Sequence, residues 1–501
     1  MATAWILAFG LPPRPRHHIT APLSLFDTLY CSKKEAVSPP ALDDPPVENR
    51  NRENPVLRAV SRKGIRIRQG IVHPRFPMPC QPHTIDASYH PTAPSILLPR
   101  LESCPMFDSV PPAPPDAILG LNESFQRDDR PGKVNLTVGV YKDESGVTPI
   151  LDAVKQAERL LVDRETTKSY LSMGGDPEFN RQVRALLLGE QNPAIAEGRA
   201  VTIQTPGGTA GLRVAADFLV RNQLSSRIWC SNPTWANHHN VFRSAGLETD
   251  GYEYLDESGT RLDAAAMLES LQSIPAGDVV CLHGCCHNPT GVDPSLDDWK
   301  RVIEIAQKRR WLPLIDLAYQ GFGDGLESDA QVVRRFVESG LELIVVHSYS
   351  KNFGLYAERT GAVTLVAESN TAATTAESQL KSAVRANYSN PPKHGAAIVA
   401  TILSDDVLRR QWLGELATMR ERIRKLRSEL VAGLAARIAD RDFSFIESQR
   451  GMFSFSGLTP LQVDQLKSEH AVYIVRSGRI NIAGLNASNL DRVCDAIAAV
   501  V

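Results

Sequence analysis

The 501-residue chain predicts an α/β fold, with a large domain whose mostly parallel sheet is sandwiched by helices and a smaller α+β domain after it. Three observations predict this. Short apolar runs bounded by turn residues recur at residues 278–282, 312–315 and 343–346. Helical periodicity alternates with them at residues 150–162 and 211–220, where Leu212, Ala215, Ala216 and Leu219 share one face. A stretch rich in Leu, Arg and Glu at residues 404–439 then reads as one long helix, leading into strand-like pieces at 443–455 and 472–475.

The division expected from these patterns has four parts. Residues 1–105 are an extension, 106–150 an N-terminal arm and part of the small domain, 151–415 the large domain and 416–501 the small one. About half of the 34 prolines fall in the extension, in clusters such as Pro12-Pro13, Pro39-Pro40 and Pro45-Pro46. Without apolar periodicity that stretch has little with which to build a core and reads as disordered. Three explanations compete for it. A targeting segment is opposed by Arg14 and Arg16 following the apolar start and by Asp43-Asp44. A nucleic-acid-binding arm around Arg62, Lys63, Arg66 and Arg68 lacks a helix-turn-helix pattern. Translation starting at Met106 is the favoured explanation.

Composition excludes several classes of function. The 55 Lys and Arg against 57 Asp and Glu leave a formal net charge of -2, so no strong field points to nucleic acid or an anionic membrane. No apolar run reaches the ~18 residues of a membrane span. The eight cysteines follow no repeated spacing, which favours free thiols in a cytoplasmic setting over a disulfide framework.

Chemistry is concentrated in a few segments. In Ser348-Tyr349-Ser350-Lys351-Asn352-Phe353-Gly354 a lysine follows a strand, where open α/β sheets bind ligands. Its amine forms a Schiff base with an aldehyde once deprotonated, and Ser348 and Arg359 are at hand to grip a phosphate. A lone lysine is more often a solvated surface residue; the company it keeps argues otherwise. Pro206-Gly207-Gly208-Thr209 opens a helix whose free N–H groups suit an anion, although a Gly-Gly pair is often only a turn. Asp316 follows a buried strand and suits a protonated ring nitrogen, with Tyr319 beside it as a donor; a helix N-cap is the plainer alternative. In His283-Gly284-Cys285-Cys286-His287-Asn288-Pro289-Thr290-Gly291 the His and Cys density suggests a metal. Adjacent cysteines on an extended strand diverge, however, so a turn presenting the Asn288 amide is preferred and no metal is assigned. Trp235 in the loop of residues 231–238 can stack on a flat ring or simply pack. Arg385 and Arg479 are each suited to a carboxylate, and together to a dicarboxylic acid.

Taken together, these segments resemble the class I aminotransferases, in the aspartate and aromatic-amino-acid branch of the fold-type I pyridoxal-phosphate enzymes. The resemblance covers residues 106–501, in motifs at 135–144, 204–209, 231–238, 283–291, 316–322, 348–358, 385–392 and 451–457. It implies that Lys351 bonds pyridoxal 5'-phosphate and moves the proton between substrate and cofactor. Asp316 would bind the pyridinium nitrogen, with His238 behind it. Asn288 and Tyr319 would contact the phenolic oxygen, and Trp235 would stack on the ring. Gly208, Thr209, Ser348 and Arg359 would hold the phosphate, joined by Tyr170 of the neighbouring subunit. Arg479 would take the α-carboxylate while Gly139 closes over it, and Arg385 of the neighbouring subunit would take the side-chain carboxylate. The resemblance therefore implies a homodimer. Departures from the family pattern are the order Ala210-Gly211, Ala236, Ala357 and Arg476, none of which removes a functional group.

The leading expectation is transfer of an amino group from L-aspartate to 2-oxoglutarate in the cytoplasm, with Thr148, Thr209 and Asn390 as further polar pocket candidates. An aromatic-amino-acid aminotransferase is the runner-up, because the family's distal arginine can swing aside. A pyridoxal-phosphate decarboxylase or lyase, and a DNA-binding regulator built on the same domain, are more remote; no nucleic acid or membrane partner is expected.

Overall fold

Strands whose residues are apolar on both faces have to be covered twice, and the sheet satisfies this with helices on each side. The computed structural model describes residues 106–112 and 119–501; the extension at 1–105, with the basic cluster around Arg66, lies outside the described residues. The strands in chain order are β1 (Val134–Asn135), β2 (Ala200–Thr205), β3 (Arg227–Asn232), β4 (Glu248–Glu253), β5 (Val279–His283), β6 (Leu312–Leu317), β7 (Leu343–Ser348), β8 (Gly361–Val366), β9 (Phe453–Phe455), β10 (Val472–Tyr473) and β11 (Arg479–Asn481).

Seven of them form the central sheet in the order β2-β8-β7-β6-β5-β3-β4. Neighbours from β4 to β7 are parallel, and β8 runs antiparallel to both β7 and β2. Register brings the chemistry to one edge. His283 lies beside Asp316 and Leu317 beside His347, while Ser348 and Thr205 both pair with Gly361. The carboxyl ends of β2, β5, β6 and β7 therefore open where β8 begins.

Alternate residues of each strand feed two cores. One face, with Cys230, Cys281, Leu314, Ile344 and Val346, packs on the helices Gly208–Arg221, Asn237–Ala245 and Asn370–Asn387. The other, with Val280, Leu282, Ile315 and Val345, packs on Pro177–Leu188, Leu296–Arg309, Leu326–Glu338 and His394–Ser404. Gly211 sits where the first of these helices meets the sheet, and a Cβ there would lie 2.7 Å from Val346 Cγ1. The Ala210-Gly211 order thus puts the glycine at the close approach.

The helix expected over 404–439 is divided. One helix ends at Ser404; Asp405 takes an extended conformation and accepts hydrogen bonds from Val407 N (2.9 Å) and Leu408 N (3.0 Å), starting Asp406–Ala435. An aspartate at that position offers the first-turn N–H groups a better partner than a continued helix would. The 30-residue helix runs through the expected boundary at 415 and 416. The strand-like stretch 443–455 is a 3-10 turn, Ser444–Ser448, followed by β9, and only Val472–Tyr473 of 472–475 is strand. No helix among the described residues is long and apolar enough to cross a membrane.

Candidate active site

A cleft of ≈ 220 Å³ lies at the carboxyl edge of the sheet. Eleven of the thirteen residues named from sequence line it: Gly208 and Thr209 at the helix start, Trp235, Asn288, Asp316 and Tyr319 from the loops of the parallel strands, Ser348, Lys351 and Arg359 between β7 and β8, and Gly139 and Arg479 from outside the sheet.

Lys351 is braced from behind. The next residue, Asn352, donates to Gln320 O (3.1 Å) and accepts from Trp412 Nε1 (2.8 Å), while Phe353 stacks on Trp412 at 4.2 Å. Burial pushes the Lys351 amine down to about 8; Asp316 opposes that shift, and the Arg359 and Arg479 charges add to it. Compared with an ordinary lysine at 10.5, this raises the free-amine fraction near neutrality by about 300-fold. Its Nζ lies 4.6 Å from the centre of the Tyr319 ring.

Asp316 is a strand residue of β6, so the N-cap alternative does not hold. Burial pushes its carboxyl up, but the hydrogen bond from His238 and the nearby Lys351 ammonium outweigh this and hold it below the usual value. His238 is wholly buried, with Nε2 3.1 Å from Asp316 Oδ2 and Nδ1 2.8 Å from Thr234 Oγ1. A carboxylate only accepts, so Nε2 carries the proton and Nδ1 takes the Thr234 hydroxyl. Thr234 Oγ1 also lies 3.1 Å from Nε2 of His283, a neutral imidazole because burial pushes it down to about 3. Burial raises the Tyr319 phenol well above its ordinary range, so it stays a donor; Asn288 Nδ2 reaches its oxygen at 3.4 Å.

Two cations in the cleft have no carboxylate partner among the described residues. Arg479 is 3 % exposed, donates to Asn288 Oδ1 (3.1 Å) and Thr137 O (2.6 Å), lies over the Phe453 ring at 4.2 Å, and leaves Nε without a partner. Burial lowers it to about 10. Arg359 donates to Tyr356 O (2.9 Å) and Ser350 Oγ (3.4 Å). It closes on Gly207, whose φ of +83° and missing Cβ both matter, since a Cβ would lie 2.5 Å from Arg359 Nη2. Beside it the first-turn N–H groups of Gly208–Arg221 point outward, as the first N–H groups of a helix do when they lack intrahelical partners. Guanidinium, helix terminus and small residues form a cradle for a phosphate-sized anion.

Tyr170 and Arg385 lie outside the cleft. Tyr170 is 92 % exposed, and Arg385 is exposed with a hydrogen bond to Ser389 Oγ. The segments that carry them are joined, Asn390 donating to the Leu171 carbonyl at 3.1 Å. Thr148 is exposed and does not line the cleft, and Arg476 pairs with Asp464 on the surface. Sequence reasoning gave no role to Ser350, Tyr356, His283 or Phe453, which also line the cleft. Ser350 stood inside the quoted lysine motif and His283 inside the His-Cys motif. Phe453 is explained by Gly139, where a Cβ would meet its Cζ at 2.6 Å. One argument from sequence is corrected: Cys285 and Cys286 do not diverge. Cys286 has a φ of +53°, and both sulfurs lie with a carboxylate oxygen of Asp329 within 4.8 Å of one another.

A sheet of this topology with a braced lysine, a buried carboxylate and an anion cradle at one edge defines a fold-type I transferase, and the comparisons with known proteins agree. The family "Aminotransferase class I and II" matches residues 131–497, and the chain belongs to it. It is 54% identical over 396 residues to the aspartate aminotransferase of Escherichia coli (strain K12), covering 79% of this chain and 100% of that protein. It is 50% identical over 394 residues to an aromatic-amino-acid aminotransferase of Pseudomonas aeruginosa, covering 79% and 98%. Among solved structures, the aromatic-amino-acid aminotransferase of Burkholderia pseudomallei, covalently bound to pyridoxal phosphate, superimposes with a TM-score of 0.77 at 48% identity, over 79% of this chain and 99% of that one.

Proposed function

We propose that this chain transfers the amino group of L-aspartate to 2-oxoglutarate, giving oxaloacetate and L-glutamate, with pyridoxal 5'-phosphate on Lys351. The observation that carries this reading is a deprotonatable Lys351 flanked by Asp316 and by two guanidinium groups without carboxylate partners. The bound cofactor supplies an aldehyde for Schiff-base exchange and a protonated ring that withdraws electrons from the substrate's Cα.

The residues divide the work. Lys351 Nζ would hold the cofactor and, as a general base placed close to the bond, would take the substrate's Cα proton and return it. Asp316, kept ionised by His238, would hold the ring nitrogen protonated. Tyr319 and Asn288 would serve the phenolic oxygen, and Trp235 would stack on the ring. Arg359, Ser348, Gly208 and Thr209 would take the phosphate. Arg479 takes the α-carboxylate by two parallel hydrogen bonds, with Gly139 above it. Tyr170 and Arg385 would complete the site of a second subunit, the phosphate and the distal carboxylate respectively; their exposure and the contact between their segments support a homodimer. Residues 106–150 and 416–501 form the smaller part that closes on residues 151–415, carrying Arg479 inward and excluding water. The five described cysteines are free thiols, in keeping with a cytoplasmic enzyme, which cell fractionation would test.

Steady-state rates with aspartate and phenylalanine, 2-oxoglutarate being the acceptor, test the substrate. A higher kcat/KM for phenylalanine would replace aspartate by the aromatic reading. That second reading is favoured by one observation, the exposed Arg385 side chain, which bonds to Ser389 Oγ and to no carboxylate among the described residues.

A further inference from the structure

We infer that Cys230, Cys281 and His238 form a buried site for a thiophilic divalent cation, and that filling it detaches His238 from Asp316. Cys230 on β3 and Cys281 on β5 are register partners on neighbouring parallel strands, so their side chains leave the sheet on the same face. His238, in the first turn of Asn237–Ala245, lies against them. The three residues are 0 %, 1 % and 0 % exposed, and their two sulfurs and a ring nitrogen lie within 4.8 Å of one another. Cys281 Sγ is 4.0 Å from His238 Nε2.

Two thiolates and an imidazole are a zinc-type donor set with one position left open. With metal–sulfur and metal–nitrogen bonds of about 2.3 and 2.0–2.1 Å, tetrahedral donors stand about 3.5–3.8 Å apart, so the trio, now within 4.8 Å, has to contract by up to about 1 Å. Asp316 Oδ2 lies 3.1 Å from the same Nε2. Nε2 cannot donate to Asp316 and bind a cation at once. The proton it gives up has a place to go: at Nδ1, where Thr234 Oγ1 stands at 2.8 Å and can turn from donor to acceptor. Both thiols lose their protons, so each ion bound releases two protons to solvent. Because the trio is shut off from water, uptake follows local opening and is slow.

The other sulfur cluster is less suited. The Asp329 carboxylate beside Cys285 and Cys286 already accepts from Gly321 N (2.7 Å), Gly323 N (3.0 Å) and Asp324 N (2.8 Å), which leaves that pair as an internal control.

The experiment is a cadmium chloride titration of the cofactor-loaded enzyme, followed over hours. A thiolate-to-cadmium charge-transfer band should grow in the ultraviolet and saturate at one ion per chain, with two protons released. Turnover should fall in step and return with a chelator. Cys230→Ala or Cys281→Ala should abolish the band, with Cys230→Val and Cys281→Val as strand-compatible replacements if the alanine variants fail to fold; Cys286→Ala should retain it. No band, or a band that survives loss of Cys230 and Cys281, would overturn the inference; a band with undiminished turnover would leave the cation site standing and overturn instead the support of Asp316 by His238 proposed above. The loss of turnover rests on the role of Asp316 proposed above. The band does not, so failure of the site and failure of that reading can be told apart.

Discussion

Replacing Arg385 by leucine probes the substrate and the subunit arrangement together. Its guanidinium is exposed, bonds to Ser389 Oγ, and has no carboxylate partner among the described residues. The substitution therefore removes no core packing and should leave the unfolding midpoint close to that of the parent. In the assembled site the same group would hold the distal carboxylate away from water. Truncating one side of a desolvated, hydrogen-bonded charge pair costs about 2–5 kcal/mol. The kcat/KM for aspartate should then fall by about 30- to 5000-fold. Phenylalanine has no distal charge, and its kcat/KM should stay within about three-fold or rise.

The assay is steady-state turnover of both donors with 2-oxoglutarate, followed by complementation. Chains carrying Lys351→Ala are mixed with chains carrying Arg385→Leu and allowed to reassociate. If each site draws Lys351 from one subunit and Arg385 from the other, a mixed dimer has one site with both residues intact. Half the dimers are then mixed, so about a quarter of parental aspartate activity should return. An equal loss for both donors would refute the carboxylate role of Arg385. No recovery on mixing would refute the shared site.

Three further outcomes follow from the cleft. Cofactor uptake by the cofactor-free protein, read by visible absorbance, should rise about ten-fold per pH unit up to about 8 and level off above it, because the depressed Lys351 amine is protonated below that value; a profile still rising at pH 10 would contradict it. Asp316→Asn can still accept from His238 but loses its negative charge, so kcat should fall about 100-fold or more while the fold is retained. Gly207→Ala forces a Cβ to within 2.5 Å of Arg359 at a positive φ, and should speed cofactor loss on dialysis about ten-fold or more.

Most of the cleft was legible because its residues follow strands, and strands announce themselves by local apolar runs. Lys351, Asp316 and Asn288 each come shortly after such a run, and the register of β5, β6 and β7 then has little choice but to place them on one edge. What lies outside local pattern was harder to read. The antiparallel direction of β8 depends on how the chain returns after Arg359, and nothing in residues 361–366 encodes direction. Phe453 reaches the cleft from a segment far along the chain, through packing against Gly139. The Cys285-Cys286 pair was misjudged because an extended backbone was assumed where Cys286 is left-handed. Tyr170 was found by resemblance alone, Arg385 was singled out by its chemistry and assigned to the neighbouring subunit by resemblance, and a single chain gives neither a ligand to meet.

Charge in the cleft ties these threads together. Arg359 and Arg479 are cations without carboxylate partners among the described residues, Asp316 is an anion committed to His238, and Lys351 titrates near neutrality. The balance is positive, and a buried cation such as Arg479 is tolerated only if something anionic answers it. One anion would leave the other arginine unmatched; a phosphate at Arg359 and a carboxylate at Arg479 satisfy both. The same two arginines help hold the Lys351 amine down, so before anions arrive the nucleophile is at its most available, and once they are neutralised Asp316 pulls its pKa back up. A lysine that is more easily deprotonated while the cleft is empty, and a stronger base once it is filled, suits the two stages at which the proposed reaction uses this residue.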